Sequence, residues 1–444
     1  MGQSQRHLFG TDGVRGRAGE FLTPELAVSL ARAAVAHIRP SRPQVLIVRD
    51  TRESGEMLEA AIAAGVTAAG GDALVAGVLP TPAAPLLVRR HGLDLAAVIS
   101  ASHNPYQDNG IKLFGPDGFK LDDSTEHAIE AELGQAAAAP ESIGRVRRLH
   151  GALEDYLREL HVRFQSLNLE GLRVLLDCAH GATYLAAPEI FRRLGAEVET
   201  IANAPDGRNI NDGCGSTHID QLIERVRSGG HDVGFAFDGD GDRVLAVDRE
   251  GEVVDGDELI ALAALHLHEM GRLAGDGVVV TVMTNYGFHT AMAHAGIDVA
   301  TTSVGDRYVL DELRRRGWAF GGEQSGHIID LGFGPSGDGI AGALLALEAL
   351  GERDFADRDA MEKLPQRLVN IKVADRTSQA AALEAAAVQE AIEREQEALH
   401  ARGRVLVRAS GTEPLIRVMV EAPSDRETDE VCERLTTVVE QALA

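Results

Sequence analysis

The chain has 444 residues, 44% of them hydrophobic and 25% charged, which is typical of a globular protein with several domains. Its formal net charge of −25 argues against nucleic acid and membranes as partners, because both are mostly anionic. An anionic substrate would therefore need a locally basic pocket.

The three cysteines, Cys178, Cys214 and Cys432, are widely separated and form no C-x-x-C pair, so neither a disulfide framework nor a zinc site is expected. The N-terminal sequence, MGQSQRHLFG, has no hydrophobic signal core, and no apolar run reaches the roughly 20 residues needed to cross a bilayer. We therefore expect a cytoplasmic protein.

Helix and strand patterns alternate along residues 1–150 and predict a first α/β domain. Thr23 followed by proline is typical of a capped helix start. Apolar runs at 44–48, 73–78 and 95–99 predict the buried strands of a parallel sheet.

After a linker pattern at 134–144, the alternation predicts two more α/β domains, residues 151–255 and 256–365. The last domain, residues 366–444, differs because one long acidic helix pattern, 379–399, stands among strand patterns. The expected fold class is α/β, with three similar α/β domains containing mixed or parallel sheets and a smaller C-terminal α+β domain.

Each predicted domain has one polar motif directly after a strand pattern. These motifs are SASHNP, DGDGDR, GGEQSGH and RASGTEP. Open α/β sheets bind ligands outside the carboxyl ends of their strands, where loops and helix N-termini present backbone donors. We therefore expect the four loops to surround a central cleft.

The DGDGDR motif places Asp238, Asp240 and Asp242 at alternate positions, and the glycines between them let the backbone curl. Three carboxylates facing one point would repel one another unless a hard cation such as Mg²⁺ neutralised them. An EF-hand does not fit, because Arg243 and Arg249 stand where that loop needs glycine and glutamate. A solvated turn is the alternative.

Ser102, in SASHNP, is a candidate partner for this metal loop. A Ser-His-Asp hydrolase is not favoured, because no G-x-S-x-G motif occurs and His103 would point away from Ser102 in an extended loop. A serine that carries a phosphoryl group beside Mg²⁺ explains the neighbours better, although a simple turn is an alternative. Lys112, just past the predicted Asn109-Gly110 turn, would serve as a cation or an acid/base, with His103 as the second acid/base candidate.

Three further segments carry polar or charged groups that could take part in binding. The run 408–417 combines hydroxyls, a glycine and two arginines, and it is suited to hold a phosphate that does not react. Glu323 and Ser325 would bind vicinal sugar hydroxyls, or Glu323 would bind an ammonium group. His327 is expected to make a structural hydrogen bond and not to bind a ligand. The N-terminal FGTDGVRG contains Arg15. Plain turns, polar loops and a loose tail are the alternatives for these segments.

Six motifs in this order resemble the α-D-phosphohexomutase superfamily, most of all its bacterial members that act on glucosamine phosphates. They are FGTDGVRG, SASHNPYQDNGIK, DGDGDR, VGDRYV, GGEQSGH and RASGTEPLIRVMVE, and they span nearly the whole chain. The superfamily fold has three related α/β domains and a smaller fourth domain around a central cleft. His180 departs from the pattern, because it stands where similar proteins are expected to have asparagine.

The resemblance implies a role for each matching residue. It makes Ser102 the phosphoryl carrier, which binds one Mg²⁺ per chain together with the three aspartates. The residues that would line the reacting phosphoryl group are Arg15, His103, Lys112 and Arg243. The residues that match the sugar-recognition loop are Glu323 and Ser325. The residues that match the phosphate-binding loop are Arg408, Ser410, Gly411, Thr412 and Arg417.

The implied reaction interconverts glucosamine 6-phosphate and glucosamine 1-phosphate through a glucosamine 1,6-bisphosphate, on the way to UDP-N-acetylglucosamine and peptidoglycan precursors. A mutase acting on glucose or mannose phosphates is the alternative within enzymes. A phosphosugar-binding regulator without activity is the alternative from another class. The resemblance also suggests a homodimer.

Overall fold

The structure is a computed structural model that describes residues 8–10, 12–38, 42–134, 140–410 and 414–443. The chain divides into two compact units, the first comprising Met1–Val282 and Ala300–Arg358 and the second comprising Met283–Val299 and Asp359–Ala444. The expected fold class is confirmed, since three α/β portions each have their own sheet and an α+β portion follows. None of the helices in the described residues is long and apolar enough to span a membrane.

The first portion contains a six-stranded mixed sheet. Its strands are β1 (Val14–Arg17), β2 (Gln44–Arg49), β3 (Asp72–Val78), β4 (Leu95–Ile99), β5 (Asp108–Phe114) and β6 (Val146–Arg148). Its helices are α1 (Pro24–His37), α2 (Gly55–Ala68), α3 (Ala83–His91) and α4 (Asp123–Glu132). The strand order is β1-β5-β4-β2-β3-β6, with β5 antiparallel to both neighbours and the other pairs parallel.

The three strands predicted for this portion, β2, β3 and β4, are parallel as expected, and the sheet is mixed because β5 runs back beside β4. The predicted Asn109-Gly110 turn was wrong, because both residues lie inside β5. The Asn109 side chain is buried, and its amide donates a hydrogen bond to Ser54 Oγ at 2.8 Å. A Cβ at Gly110 would lie 2.5 Å from the Ser100 carbonyl oxygen, so only glycine allows the backbone at these two positions to come this close.

The second portion has a five-stranded sheet of order β11-β10-β9-β7-β8. Its strands are β7 (Arg173–Asp177), β8 (Glu197–Ile201), β9 (Val233–Phe237), β10 (Val244–Asp248) and β11 (Val253–Val254). Its helices are α5 (Ala152–Arg163), α6 (Ala186–Arg193) and α7 (Asp220–Gly229). Because β10 pairs antiparallel with β9, the DGDGDR motif is the tight connection between two buried strands.

The third portion has a four-stranded sheet of order β13-β12-β14-β15. Its strands are β12 (Gly277–Thr281), β13 (Asp298–Thr302), β14 (Phe320–Gly322) and β15 (Ile328–Asp330). The helices are α8 (Gly256–Glu269), α9 (Tyr286–His294), α10 (Asp306–Arg316) and α11 (Gly339–Leu350). The GGEQSGH motif joins β14 to β15, which pair antiparallel, and α9 belongs to the second unit.

The C-terminal portion has a three-stranded antiparallel sheet of order β16-β18-β17. Its strands are β16 (Gln366–Lys372), β17 (Arg404–Ala409) and β18 (Leu415–Glu421). Its helices are α12 (Arg376–Glu384), α13 (Ala386–Leu399) and α14 (Asp425–Leu443). Single turns of 3₁₀ helix occur at Ala182–Tyr184, Ala274–Asp276, Phe355–Asp357 and His400–Arg402.

The single long helix predicted at 379–399 was also wrong. The helix breaks at Ala385, whose backbone is extended, and two helices result. The break lets Ala382 of the first helix and Val388 of the second both pack into one core. No glycine or proline marks this position, so the helical pattern reads as continuous.

Candidate active site

Ser102 lies directly after β4, and the exposed fraction of this residue is only 1%. Its Oγ donates a hydrogen bond to Asp238 Oδ2 at 2.5 Å. The backbone of Ser102 has a φ of 54°, a left-handed conformation that residues other than glycine rarely adopt. The structure therefore brings the predicted serine into contact with the predicted metal loop, across 136 residues of sequence.

Asp238, Asp240 and Asp242 can each direct one carboxylate oxygen into a common space, with these oxygens within 4.8 Å of one another. The loop curls because Asp238 Oδ1 accepts the N–H groups of Gly241 and Arg243 at 3.0 and 3.2 Å. One buried oxygen of Asp240 and one of Asp242 have no hydrogen-bond partner among the described residues. Buried, unpartnered carboxylate oxygens are the donor set that Mg²⁺ prefers, so these residues fit that ion.

The surroundings of Asp238 and Asp240 move their pKa values in opposite directions. Burial raises the pKa of Asp238 well above its usual value, and the charges of Asp242 and Asp240 add to this effect. Burial also acts on Asp240, but the Lys112 ammonium group and the Thr81 hydroxyl outweigh it and lower the pKa of Asp240. The protein thus neutralises only part of the trio, and a divalent cation would stabilise the ionised form of the rest.

Lys112, on β5, is buried rather than solvated, with 1% of the residue exposed. Its Nζ lies 2.9 Å from Asp240 Oδ2, 3.0 Å from Asp12 Oδ2 and 3.8 Å from Asp242 Oδ2. Burial alone would favour the neutral amine, but the charges of these carboxylates outweigh it and raise the pKa of Lys112. Lys112 is therefore a fixed cation beside the metal loop at all ordinary pH values.

The prediction that His103 points away from Ser102 was wrong. The Nδ1 atom of His103 lies 3.3 Å from Ser102 Oγ, because the left-handed backbone at Ser102 bends the loop. Burial lowers the pKa of His103, and the nearby charges of Arg243 and Arg15 lower it further. A neutral imidazole is thus available to accept a proton. Asp238 contacts the serine instead of the histidine, which is not the order of a Ser-His-Asp triad.

Several charged residues near this site were not predicted. Asp12 pairs with Arg15 and with both Lys112 and Lys120, and Lys120 also pairs with Asp306. These carboxylates lie inside FGTDGVRG and VGDRYV, the motifs that carried the family resemblance, so that resemblance was the available signal. No local pattern indicates which lysine each carboxylate meets, since the partners are 100 or more residues apart along the chain.

The GGEQSGH loop has two buried polar residues, of which His327 lies close to the metal loop. Glu323 is buried, and its Oε1 accepts the N–H of Gly305 at 2.9 Å. His327 is buried as well, with Nε2 4.0 Å from Asp242 Oδ2. Ser325 is exposed. Arg243 and His327 form an isolated antiparallel bridge, which links the metal loop to this loop.

The predicted phosphate-binding loop lies in the second unit. Arg408 and Arg417 are direct cross-strand partners on β17 and β18. Burial lowers the pKa of Arg408, and the like charge of Arg417 lowers it further. The N–H of Ser410 donates to the Leu415 carbonyl at 2.9 Å, while the predicted Gly411 and Thr412 lie outside the described residues. Two arginines at directly opposite positions of neighbouring strands are suited to bind an anion.

The sequence matches four domain models of one family, described as phosphoglucomutase/phosphomannomutase. The alpha/beta/alpha domains I, II and III match residues 6–139, 154–251 and 255–368. The C-terminal domain model matches residues 368–438. The four models together span nearly the whole chain.

Two bacterial proteins named phosphoglucosamine mutase are similar over almost their full length. The protein from Pelotomaculum thermopropionicum is 48% identical, over 98% of this chain and 99% of its own. The protein from Mycolicibacterium paratuberculosis is 49% identical, over 98% of this chain and 99% of its own.

Solved structures share the fold. A phosphoglucomutase/phosphomannomutase family protein from Burkholderia thailandensis gives a TM-score of 0.81 at 22% identity, covering 99% of this chain and 98% of its own. Aspergillus fumigatus N-acetylphosphoglucosamine mutase, in complex with GlcNAc-6P and magnesium, gives 0.67 at 18% identity, covering 98% and 96%. With four matching domain models and full-length relatives at this identity, the chain belongs to the phosphoglucomutase/phosphomannomutase family.

Proposed function

We propose that this chain is a phosphoglucosamine mutase, which interconverts glucosamine 6-phosphate and glucosamine 1-phosphate with phosphorylated Ser102 as the phosphoryl carrier. The observation that carries the proposal is the hydrogen bond of 2.5 Å from Ser102 Oγ to Asp238, in a group of carboxylates suited to Mg²⁺. The choice of an amino sugar rests on the relatives of that name at 48% and 49% identity.

In the first half-reaction, the bond between phosphorus and Ser102 Oγ breaks while the free sugar hydroxyl forms a bond to phosphorus. The hydroxyl proton passes through His103 to Ser102 Oγ, a role supported by the 3.3 Å distance and the lowered pKa of this histidine. The product is glucosamine 1,6-bisphosphate. After the sugar turns over, the same steps in reverse return its other phosphoryl group to Ser102.

Charged residues around Ser102 would stabilise the group in transfer. One Mg²⁺ held by Ser102 and the three aspartates would neutralise part of the negative charge on the transferred phosphoryl group. Lys112 would add a fixed positive charge, since its carboxylate partners keep it protonated. The same function is proposed for Arg15 and Arg243, whose charges act on His103.

The remaining predicted residues would bind the sugar and its second phosphate. Glu323 and Ser325 are proposed to bind sugar hydroxyls, and Glu323 is held in place by Gly305. The loop 408–417 is proposed to bind the phosphate that does not react. We also propose the domain boundaries 1–150, 151–255, 256–365 and 366–444 and, from the resemblance, a cytoplasmic homodimer.

The test compares kcat/KM for glucosamine 6-phosphate, glucose 1-phosphate and mannose 1-phosphate, each with Mg²⁺ and a catalytic amount of glucose 1,6-bisphosphate. We expect the amino sugar to give the highest value. A higher value for mannose or glucose phosphate would make the chain a phosphomannomutase or phosphoglucomutase. Binding of the sugar phosphates in calorimetry without turnover of any of them would favour a regulator.

A further inference from the structure

The backbone of Ser102 is held in an unusual conformation from both sides. Its φ of 54° is left-handed, and a serine persists there only when its surroundings over-determine the conformation. On the amide side, the N–H of Ser102 donates to Ser100 Oγ at 3.0 Å, and Ser100 Oγ donates to Asp50 Oδ2 at 2.6 Å. All three residues are buried, so water does not compete for these hydrogen bonds.

On the carbonyl side, two side chains from different parts of the chain donate to the same oxygen. A terminal nitrogen of Arg52 lies 2.8 Å from the Ser102 carbonyl oxygen, and Asn211 Nδ2 lies 2.9 Å from it. Both side chains also donate to the carbonyl of Asn104, at 2.9 and 3.0 Å. The two donors therefore hold the loop at two carbonyl groups, those of Ser102 and Asn104.

Arg52 is held by Asp50 as well as by the loop carbonyls that it contacts. Its side chain has no exposed surface, and its Nε donates to Asp50 Oδ2 at 2.8 Å. The same Asp50 oxygen accepts from Ser100 Oγ, so one buried carboxylate supports both the amide side and the carbonyl side of Ser102. A further nitrogen of Arg52 donates to the Asp108 carbonyl at 3.0 Å, where β5 begins.

Asn211 lies between the serine loop and the metal loop. A Cβ added to Gly239, between Asp238 and Asp240, would lie 2.7 Å from Asn211 Nδ2 and 2.7 Å from the Ser102 carbonyl oxygen. Asn211 is itself left-handed, with a φ of 58°, and its N–H donates to the Ala179 carbonyl at 3.0 Å. The amide of Asn211 thus sets the separation of the two loops.

We propose that Arg52 and Asn211 are positioning residues, which hold the Ser102 carbonyl and thereby aim Ser102 Oγ at Asp238. The inference rests on the proposed function, because it concerns the orientation of Ser102 Oγ, the oxygen that would carry the phosphoryl group. That oxygen must give up a phosphoryl group in one half-reaction and accept one in the other. Both transfers need the same in-line geometry, and neither Arg52 nor Asn211 has to touch the substrate.

The experiment uses two substitutions of Asn211 in the full chain. Asn211→Gly tolerates the positive φ and removes both hydrogen bonds to the loop. Asn211→Asp keeps the shape of the side chain but replaces the donating NH₂ group with an oxygen, which would face the two carbonyl oxygens and repel them. Ala202→Gly is the matched control, because Ala202 also has a positive φ of 45° and lies in the same α/β portion. The kinetic constants are measured with glucosamine 6-phosphate, Mg²⁺ and glucose 1,6-bisphosphate.

We expect Asn211→Gly to lower kcat by about 100-fold with little change in KM, since a displacement of about 1 Å has an effect of that size. Asn211→Asp should lower kcat further, and Ala202→Gly should leave it unchanged. The rate at which glucose 1,6-bisphosphate phosphorylates Ser102, followed by intact mass, should fall by the same factor as kcat. A merely structural role would lower the melting temperature without changing this rate per folded molecule.

Arg52→Lys provides a second variant, in which the charge beside Asp50 remains and the fork of donors is lost. It should lower the phosphorylation rate while leaving KM unchanged. Wild-type phosphorylation rates in both Asn211→Gly and Arg52→Lys would overturn the inference and leave the proposed function standing. If wild-type protein neither became phosphorylated nor turned over any sugar phosphate, the proposed function would fall and the inference with it.

Discussion

Two groups of cations, each proposed to bind a phosphate, are built in opposite ways. In the first unit, Lys112 is surrounded by carboxylates, with Asp12 and Asp240 oxygens 3.0 and 2.9 Å away. In the second unit, Arg408 and Arg417 face each other across two strands. Burial acts against both cations, but carboxylate charges raise the pKa of Lys112, whereas the charge of Arg417 lowers that of Arg408 further.

This difference matches the two tasks that we propose. A cation already paired with carboxylates stays in place when a phosphoryl group arrives or leaves, so it stabilises a transfer without reorganisation. Two like-charged arginines are relieved only when an anion binds between them, so their arrangement favours affinity. The first group is therefore suited to phosphoryl transfer. The second is suited to binding the phosphate that does not react, whichever end of the sugar carries it.

The largest expected effect comes from Ser102→Ala, which removes the atom that accepts the phosphoryl group. Turnover of glucosamine 6-phosphate should be abolished, while binding of this substrate in calorimetry should remain, because the arginine pair of the second unit is untouched. Ser325→Ala, at an exposed position of the proposed sugar loop, is the control and should change KM more than kcat. Full activity of Ser102→Ala would remove the proposed mechanism.

The next effect concerns the metal loop. Asp242→Asn replaces a carboxylate that has one buried oxygen without a hydrogen-bond partner among the described residues, and it should raise the Mg²⁺ concentration for half-maximal activity at least about tenfold. Excess chelator should abolish wild-type turnover, and added Mg²⁺ should restore it. Asp248→Asn, on β10 and paired with Arg358, is the control. An unchanged Mg²⁺ requirement in Asp242→Asn would contradict the site.

Much of the first site could be predicted because its motifs follow strands. Since Ser102 follows β4 and the aspartates follow β9, the rule that loops at the carboxyl ends of strands form ligand sites was enough to bring them together. The position of the glycines in DGDGDR indicated a curled loop, and the hydrogen bonds from Gly241 and Arg243 to Asp238 account for it.

The rest depended on contacts between distant residues or on single backbone angles. Asp12 could not be assigned to Lys112, because their pairing requires β1 and β5 to lie side by side, and no local pattern indicates that these two segments pair. The orientation of His103 follows from the φ of Ser102, which Arg52 and Asn211 help to fix from elsewhere in the chain. Local sequence patterns contain neither kind of information.

A smaller effect is expected in the second unit. Arg417→Ala should raise KM for the sugar phosphate by about 10- to 100-fold, the value of one charge-assisted hydrogen bond, and should change kcat less. Arg367→Ala is the matched control, since this partly exposed arginine of the same sheet pairs with Asp429. A fall in kcat at constant KM would mean that this unit acts on the transfer itself, and the contrast between the two cation groups would be lost.

The smallest effect tests a buried carboxylate whose donors are neutral. Asp338 accepts from the Tyr156 hydroxyl at 2.9 and 3.0 Å and from the Ala341 N–H at 3.0 Å, and burial raises its pKa from 3.8 to about 6. Because the folded state then holds a proton more tightly than the unfolded state, this group costs stability as pH rises through the window from about 4 to 6.

Asp338→Asn keeps the helix cap and the hydrogen bond to Tyr156 but cannot ionise. Its free energy of unfolding relative to wild type should therefore increase by roughly 1–3 kcal/mol between pH 4 and pH 7, measured as a growing difference in melting temperature. Lys112, in the same unit, is a buried charge that carboxylates balance. Asp338 has no such partner ion among its hydrogen-bond donors in the described residues, so Asp338→Asn measures the cost of a buried charge that is not balanced. A difference in melting temperature that stayed constant across this window would show that Asp338 is ionised with an ordinary pKa.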